Sequence, residues 1–585
     1  DVYKRQQYNH INFYDTEGKN LRIKRVWNQN QSGTPPTGYY YGTEYTNAEE
    51  IIAAKQDYAA SHATHVTGIA AGAYKGNEYY GIAPDADLVF VSYNVSDNSS
   101  SNTSITDGIK YIYDYAESVG KPCVINMSLG YHIGPHDGTS TFDRICDELQ
   151  GEGRLLVGAS GNEAEYNIHA TKTLKKGDTN MKSLVEFVSN WYLYGSMTST
   201  VDIWGDAEKQ LSARVFVYDI LNKKEVYSSE SFSTTTSTSK KISNPTGADG
   251  NIYISTATNP YNKKGNITID LNLSSFDNRN YYIGFEISGP EETTINAWTD
   301  AYMSWLSNFG NSEFTNGDNN STMGEIGGTG KRIITVGAYT SCNYIDHKNS
   351  SMWNNSGQTL NQLVSFSSLG PTADGRMKPD ITAPGSMLIS SFNSSTSSNR
   401  NGEDYNYVVK QENVNTVNYY YGSMEGTSMA TPVVTGVLAT WLQANPKLTP
   451  EQVREILSNT ATTDSYTGNI AGVGNNRWGY GKINAYDGLV YCLNHSGIEQ
   501  IGTPTRPMVY PNPATDICYF LLQNDDKNVN VSIYTLNGTE IYSRYMGNIN
   551  AGEQNQLDLS DLAAGIYFIH ITGDKTNMTT KLTVK

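Results

Sequence analysis

Ser428 stands in the string GTSMATP, directly ahead of a long, largely apolar helical run. A hydroxyl at the mouth of a helix meets unpaired N–H groups and the positive end of the helix dipole, and both favour negative charge. Gly426 lets the chain turn tightly there. Pro432 is placed in the first turn, where a missing N–H costs little. With a base in hydrogen-bond reach such a hydroxyl is a nucleophile; without one it is an N-cap. Two histidines, His62 and His65, lie on one helical stretch and raise a metal site as an alternative. Their spacing is not the i, i+4 of HExxH and no glutamate stands between them, so no metal ligands are assigned. An Asp-Thr pair at Asp15 poses the remaining question, whether an acid accompanies the serine.

Groups scattered over 585 residues need a scaffold that folds them together. From Ile51 to Glu163 helical and β-branched stretches alternate, among them "ADLVFVSYN", "KPCVINMSLG" and "RLLVGASGNE". The helix "SITDGIKYIYDYAESVG" is expected to start near Ser104 or Thr106 and to stop at Gly120. This rhythm predicts an α/β fold, a doubly wound parallel sheet with its site beyond the strands' carboxyl ends. Residues 164–321 change to alternating strands split by Asn, Gly, Ser and Thr turns, as in an antiparallel β-sandwich. At "KRIITVGAYT" a buried parallel-type strand returns, so the sandwich reads as an insertion. The expected order is an α/β domain in two parts, 1–163 and 322–493, around the insert 164–321. A linker, 494–507, and a terminal all-β module, 508–585, follow.

Composition removes some classes of function. With 42 basic and 59 acidic residues the net charge is −17, which argues against nucleic acid or an anionic membrane as the main partner. No apolar run approaches the ~20 residues that span a bilayer, so no transmembrane segment is expected. No signal-peptide pattern opens the chain. Five scattered cysteines without CxxC spacing speak against a zinc site or a disulfide framework, and most are expected to be buried as small hydrophobes.

The strings GTSMATP, SHATHVTGIAAG and FSSLGPTADGRMKPDITAPG, in order, resemble the subtilisin-like serine peptidases, the subtilases, over roughly residues 45–163 and 325–490. The resemblance implies a serine endopeptidase acting on protein or peptide substrates without an organic cofactor, and it leaves room for structural calcium. Carried over residue by residue, Ser428 is the nucleophile, His62 the general base and His65 a non-catalytic neighbour. Asn162, in LLVGASGNE, is the side-chain donor of the oxyanion hole, working with the Ser428 backbone N–H. Ser128, Leu129 and Gly130, in INMSLG, form the backbone edge that pairs with substrate, and Gly158, Ala159 and Ser160 wall the primary side-chain pocket.

The family runs Asp, His, Ser along the chain, its acid ending a buried apolar strand as Asp-x-Gly. Asp15 gives Asp-Thr-Glu-Gly after "NHINFY", one residue too long, and is read as a surface-turn residue. By the family pattern the acid belongs near position 3, where "DVYKRQ" looks like foreign sequence. The expectation is that the acid lies upstream of the sequence, whose activity would suffer accordingly. The rival reading is a subtilase-fold binding protein that does no catalysis.

The insert after Asn162 is similar to the jelly-roll insert of clostridial Csp-like subtilases and is expected to gate or brace the cleft. The tail, from "VYPNPATD" through "GIYFIHI" to the last residue, resembles the C-terminal sorting module of type IX secretion. It implies the type IX machinery as a partner and a place outside a Gram-negative cell, secreted or on the surface.

Overall fold

The computed structural model describes residues 6–57, 60–93, 102–188, 197–242, 250–274, 276, 279–300, 303–495, 508–522, 524–535 and 539–585. The chain divides into two units, 1–496 and 497–585.

In the first unit β1 (Ile23–Asn28) pairs antiparallel with β2 (Thr43–Tyr45) and parallel with β3 (Leu88–Ser92). After the short helix α1 (Ala48–Ala54), helix α2 (His62–Ala71) begins at the first histidine. Then come α3 (Thr103–Ser118), β4 (Cys123–Met127), α4 (Thr141–Leu149) and β5 (Arg154–Ala159). Helix α3 starts one residue before Ser104, after Asn102, and Gly120 at φ +65° follows its end. Strands β18 (Ile334–Tyr339) and β19 (Ile381–Pro384) complete a parallel sheet in the order β19-β18-β5-β4. Helices cover both faces. Leu155 and Val157 of β5 pack with α5 (Thr427–Ala444) and α6 (Pro450–Thr460), while Leu156 turns the other way, toward α3 and α4. A central strand buried on both sides needs this continuous apolar run.

Strands β6 (His169–Thr173) to β17 (Ser304–Ser307) form two six-stranded antiparallel sheets. Their inner faces share one core, with Val215 and Phe285 of one sheet among Ile203 and Ile267 of the other. The second unit holds two small antiparallel sheets over its own core, which includes Phe520, Val531, Leu557 and Ile569.

The strands read from "ADLVFVSYN" and "KPCVINMSLG" both exist, as β3 and β4, yet they belong to different sheets. Each ends its sheet, and an apolar cavity of about 720 Å³ lies along both of them, bounded also by α2, α3 and α5. Side-chain pattern establishes that a strand is buried; it does not say which neighbour it pairs with.

Candidate active site

Gly426, at φ +144°, precedes α5, and its N–H donates to Gly385 O at 2.8 Å. Thr427 N–H donates to Asn162 Oδ1 at 2.9 Å, and the Thr427 hydroxyl reaches the same oxygen at 3.0 Å. Met429 and Ala430 send their N–H groups to Gly426 O. The Ser428 N–H is the one left over in this first turn, without a hydrogen bond among the described residues. Because the amide oxygen of Asn162 takes the Thr427 donors, its Nδ2 end points away from them and is likewise unclaimed. A Cβ on Gly426 would lie 3.6 Å from Asn162 Nδ2, 3.6 Å from Ser428 N and 3.7 Å from Asn162 Oδ1, the last already taken by the Thr427 donors. Two donors therefore flank one point, which stays open because residue 426 has no side chain. An oxygen carrying developing negative charge at such a point is stabilised by both.

Pro432 is the sixth residue of α5, beyond the first turn expected for it. Lacking an N–H, it cannot bond the carbonyl four residues back, that of Ser428. Ser128 Oγ donates to that carbonyl instead, at 2.8 Å. A proline inside the helix thus leaves an acceptor through which the turn after β4 is fastened to the serine's own backbone. Ser428 itself is 8 % exposed.

His62 opens α2, half-buried. Preceding it, Ser61 Oγ donates to Asp404 Oδ2 (2.7 Å) and accepts from Asn393 N (2.7 Å), and Thr64 Oγ1 accepts from Gln7 N (2.8 Å). Val66 and Ile69 of α2 pack on Met429, and Ala70 lies against Gly436. The two helices therefore run side by side in the same direction, with His62 and Ser428 in their first turns. His65 is wholly buried, with Nε2 at 3.0 Å from Leu388 O and 3.1 Å from Gly422 O. Burial pulls its pKa down to about 4, so it is a neutral donor between elements.

Beyond β4, Leu129 is buried and Gly130 exposed, and their backbone groups make no hydrogen bond among the described residues. Gly158, Ala159 and Ser160 are all buried at the carboxyl end of β5, with Gly158 against the backbone of Gly327 and Ser160 N–H bonded to Val336 O. Asp15 is elsewhere. Its carboxylate accepts from the backbone N–H groups of Glu17, Lys19 and Asn20 and from Asn20 Nδ2, all within one exposed turn. Those bonds, led by that from Lys19, hold its pKa below the usual carboxylate value.

The profile of the Subtilase family matches residues 37–284 and 213–481. The chain belongs to the subtilase family. Residues 508–585 match the secretion system C-terminal sorting domain. This subtilase is 36% identical to serine protease AprX of Bacillus subtilis over 158 residues, 27% of this chain and 30% of that protein. With subtilisin of a Bacillus species it shares 34% over 126 residues, 21% of this chain and 28% of the other. The aligned parts span less than a third of either relative. Among solved structures, the CspB protease of Clostridium perfringens shares the fold at TM-score 0.60 and 20% identity, covering 84% of this chain and 94% of that one.

Several contributors escape a reading by motif. Thr427, inside the GTS string, orients Asn162, and Gly426 keeps the shared point open. Glu163, beside Asn162, is buried and accepts from Ser368 Oγ at 2.9 Å, with His132 Nε2 at 3.6 Å. The positive φ of Gly426 was foreseeable from its place before a helix; the partner of Asn162 was not, being 265 residues away. Of the five cysteines, Cys146, Cys492 and Cys518 are buried, Cys123 and Cys342 half-buried, and all are free. Among the described residues no three His, Cys, Asp or Glu side chains gather to hold a metal ion.

Proposed function

We propose that this chain is a secreted serine endopeptidase that cleaves peptide bonds in protein substrates. Ser428 Oγ attacks the scissile carbonyl, and His62 takes its proton and returns it to the leaving amine. Asn162 Nδ2 and Ser428 N–H receive the oxyanion. The open backbone of Leu129 and Gly130, next to Ser128, pairs with the extended substrate, giving affinity through main-chain hydrogen bonds. Gly158, Ala159 and Ser160 line the primary specificity pocket. The observation that carries this reading is the pair of N–H donors beside Gly426, on Asn162 and Ser428, that have no hydrogen bond among the described residues.

The chain is organised as a catalytic domain in two parts, 1–163 and 322–493, around a sandwich at 164–321, with 494–507 linking it to the sorting domain. That last domain addresses the protein to type IX secretion, hence to the cell surface or the medium. Structural calcium, common in the family, is not assigned to any residue.

The test is labelling by a fluorophosphonate, followed by tryptic mapping, with hydrolysis of fluorescein-labelled casein alongside. Ser428 should carry the label, and Ser428→Ala should abolish both label and hydrolysis. A label elsewhere, or retained in Ser428→Ala, rejects the assignment. Casein binding without hydrolysis or labelling would instead mark a subtilase-fold binding protein.

A further inference from the structure

The stretch that follows Gly130 is held from two sides: Tyr131 O accepts from Glu325 N at 2.6 Å and His136 N–H donates to Glu325 Oε2 at 2.8 Å, and the inserted sandwich supplies further ties. Gly134, at φ +146°, sends its N–H to Asp202 Oδ2 at 2.8 Å. On its other side a Cβ would lie 2.5 Å from Glu325 Cδ, so only glycine fits there. Asp202 belongs to β8 (Met197–Ala207) of the inserted sandwich and is 1 % exposed. Its carboxylate also accepts from Trp204 Nε1 (2.7 Å), Asn266 Nδ2 (2.7 Å) and Thr268 Oγ1 (3.2 Å).

Three more ties join the same stretch to the insert. The His136 ring stacks on Trp298 with centroids 4.1 Å apart. Lys264 Nζ meets Asp137 Oδ2 at 2.6 Å. Asn262 Nδ2 donates to Thr139 Oγ1 at 2.9 Å. Gly134, His136, Asp137 and Thr139 are thus fixed to the sandwich, while the backbone groups of Leu129 and Gly130 make no hydrogen bond among the described residues. A buried carboxylate with four donors is costly to assemble and costly to break. Such a group placed on a loop beside an open edge fixes where that edge stands.

We propose that Asp202 is a positioning residue for peptide binding: through Gly134 it sets the Leu129–Gly130 edge, so that the insert determines how the cleft receives an extended substrate. This rests on the reading of that edge given above. Substrate enters as a strand, and a strand loses affinity when the receiving N–H and C=O groups wander. The oxyanion donors on Asn162 and Ser428 hang on Thr427 and Gly426 and do not pass through Asp202.

The experiment uses the full chain carrying Asp202→Ala or Asp202→Asn. Fluorophosphonate labelling of Ser428 needs no peptide edge and should stay within about twofold of the parent in both. The KM for fluorescein-labelled casein should rise tenfold or more in Asp202→Ala with kcat little changed. Asp202→Asn, which keeps an acceptor for Gly134 and Trp204, should restore KM to within about threefold. Amide hydrogen exchange should quicken in residues 129–139 of Asp202→Ala and hold steady around Asn162 and Ser428. An unchanged KM, or labelling and KM deteriorating together, overturns the positioning role. Unchanged exchange in 129–139 overturns it as well, whether or not the chain proves to be a protease.

Discussion

The two flanks of helix α5 are built differently. On one side β5, β18 and β19 meet it through a dense core in which Leu155, Val336, Ile381 and Val434 are wholly buried. On the other, β3 and β4 stand apart along a cavity of about 720 Å³ that Ala439 and Thr440 of the same helix also line. Asn162, Thr427 and Gly426 hang from the packed flank. The cavity borders α2, the helix that opens at His62: Ala63, Val66 and Thr67 line it. On the roles proposed above, the residues that would meet the oxyanion hang from the closely packed flank, and the helix that opens with His62 borders the cavity.

The packed flank should show the largest response. Asp380, wholly inside, accepts from Lys378 Nζ (2.6 Å) and Arg454 Nε (2.8 Å). Burial works against its charge, but Arg454 and Lys378 prevail and hold its pKa at about 2, below an ordinary 3.8. Replacing Asp380 by Ala strands Lys378 in the interior and should cost about 3–5 kcal/mol, read as a shift in urea midpoint. A lowered carboxylate pKa contributes stability that is complete above the unfolded value, near pH 4, and drains away as pH falls through 2. The parent should lose stability across that window, and Asp380→Ala should lose less.

Next comes the donor pair. Asn162→Ala removes one of the two N–H sources over Gly426, and kcat should fall by about 10²–10³ with little change in KM. Melting temperature should hardly move, since Asn162 is half-buried and Thr427 can turn its hydroxyl to Gly161 O, 3.1 Å away. A rise in KM with kcat unchanged would place Asn162 in ground-state binding instead. The open flank should respond in the opposite sense. Ala439→Leu points new carbon into the cavity and should stabilise by about 0.5–2 kcal/mol in urea titration, whereas Leu155→Ala, facing the packed side, should destabilise by about 2–5 kcal/mol. If Ala439→Leu destabilises, the two flanks are packed alike and the contrast fails.

What the sequence discloses follows the same division. Ser428, His62 and Asn162 sit in short strings whose residue types already suggest their chemistry, and the β5 run Leu155–Leu156–Val157 reads plainly as a strand buried on two faces. Local pattern gives out wherever partners are far apart. Asp202 lies in "VDIWGD", an alternating strand that reads as apolar in and polar out, yet the polar face is covered by a loop 68 residues away. Pro432 reads as a first-turn proline, and only the helix start at Thr427 shows that it frees the Ser428 carbonyl for Ser128. Pairing of β3 and β4 is a property of sheets, and alternation along one strand holds no register for its neighbour.

The smallest effect is also the sharpest on the acid. Asp15 and Asp380 are both aspartates with lowered pKa values, and both accept several hydrogen bonds. Asp380 is tied to Arg454 of helix α6 and to Thr335 of β18, while every bond to the Asp15 carboxylate comes from the next five residues of its own exposed turn. An acid that orients a catalytic imidazole must spend its acceptors on that ring; those of Asp15 are committed to Lys19 and Asn20. Asp15→Ala should leave the rate of fluorophosphonate labelling at Ser428 unchanged and stability within about 0.5 kcal/mol. A drop in labelling of a hundredfold or more would mean that the turn opens to present Asp15 to His62, and the separation between site and surface turn drawn here would have to be abandoned.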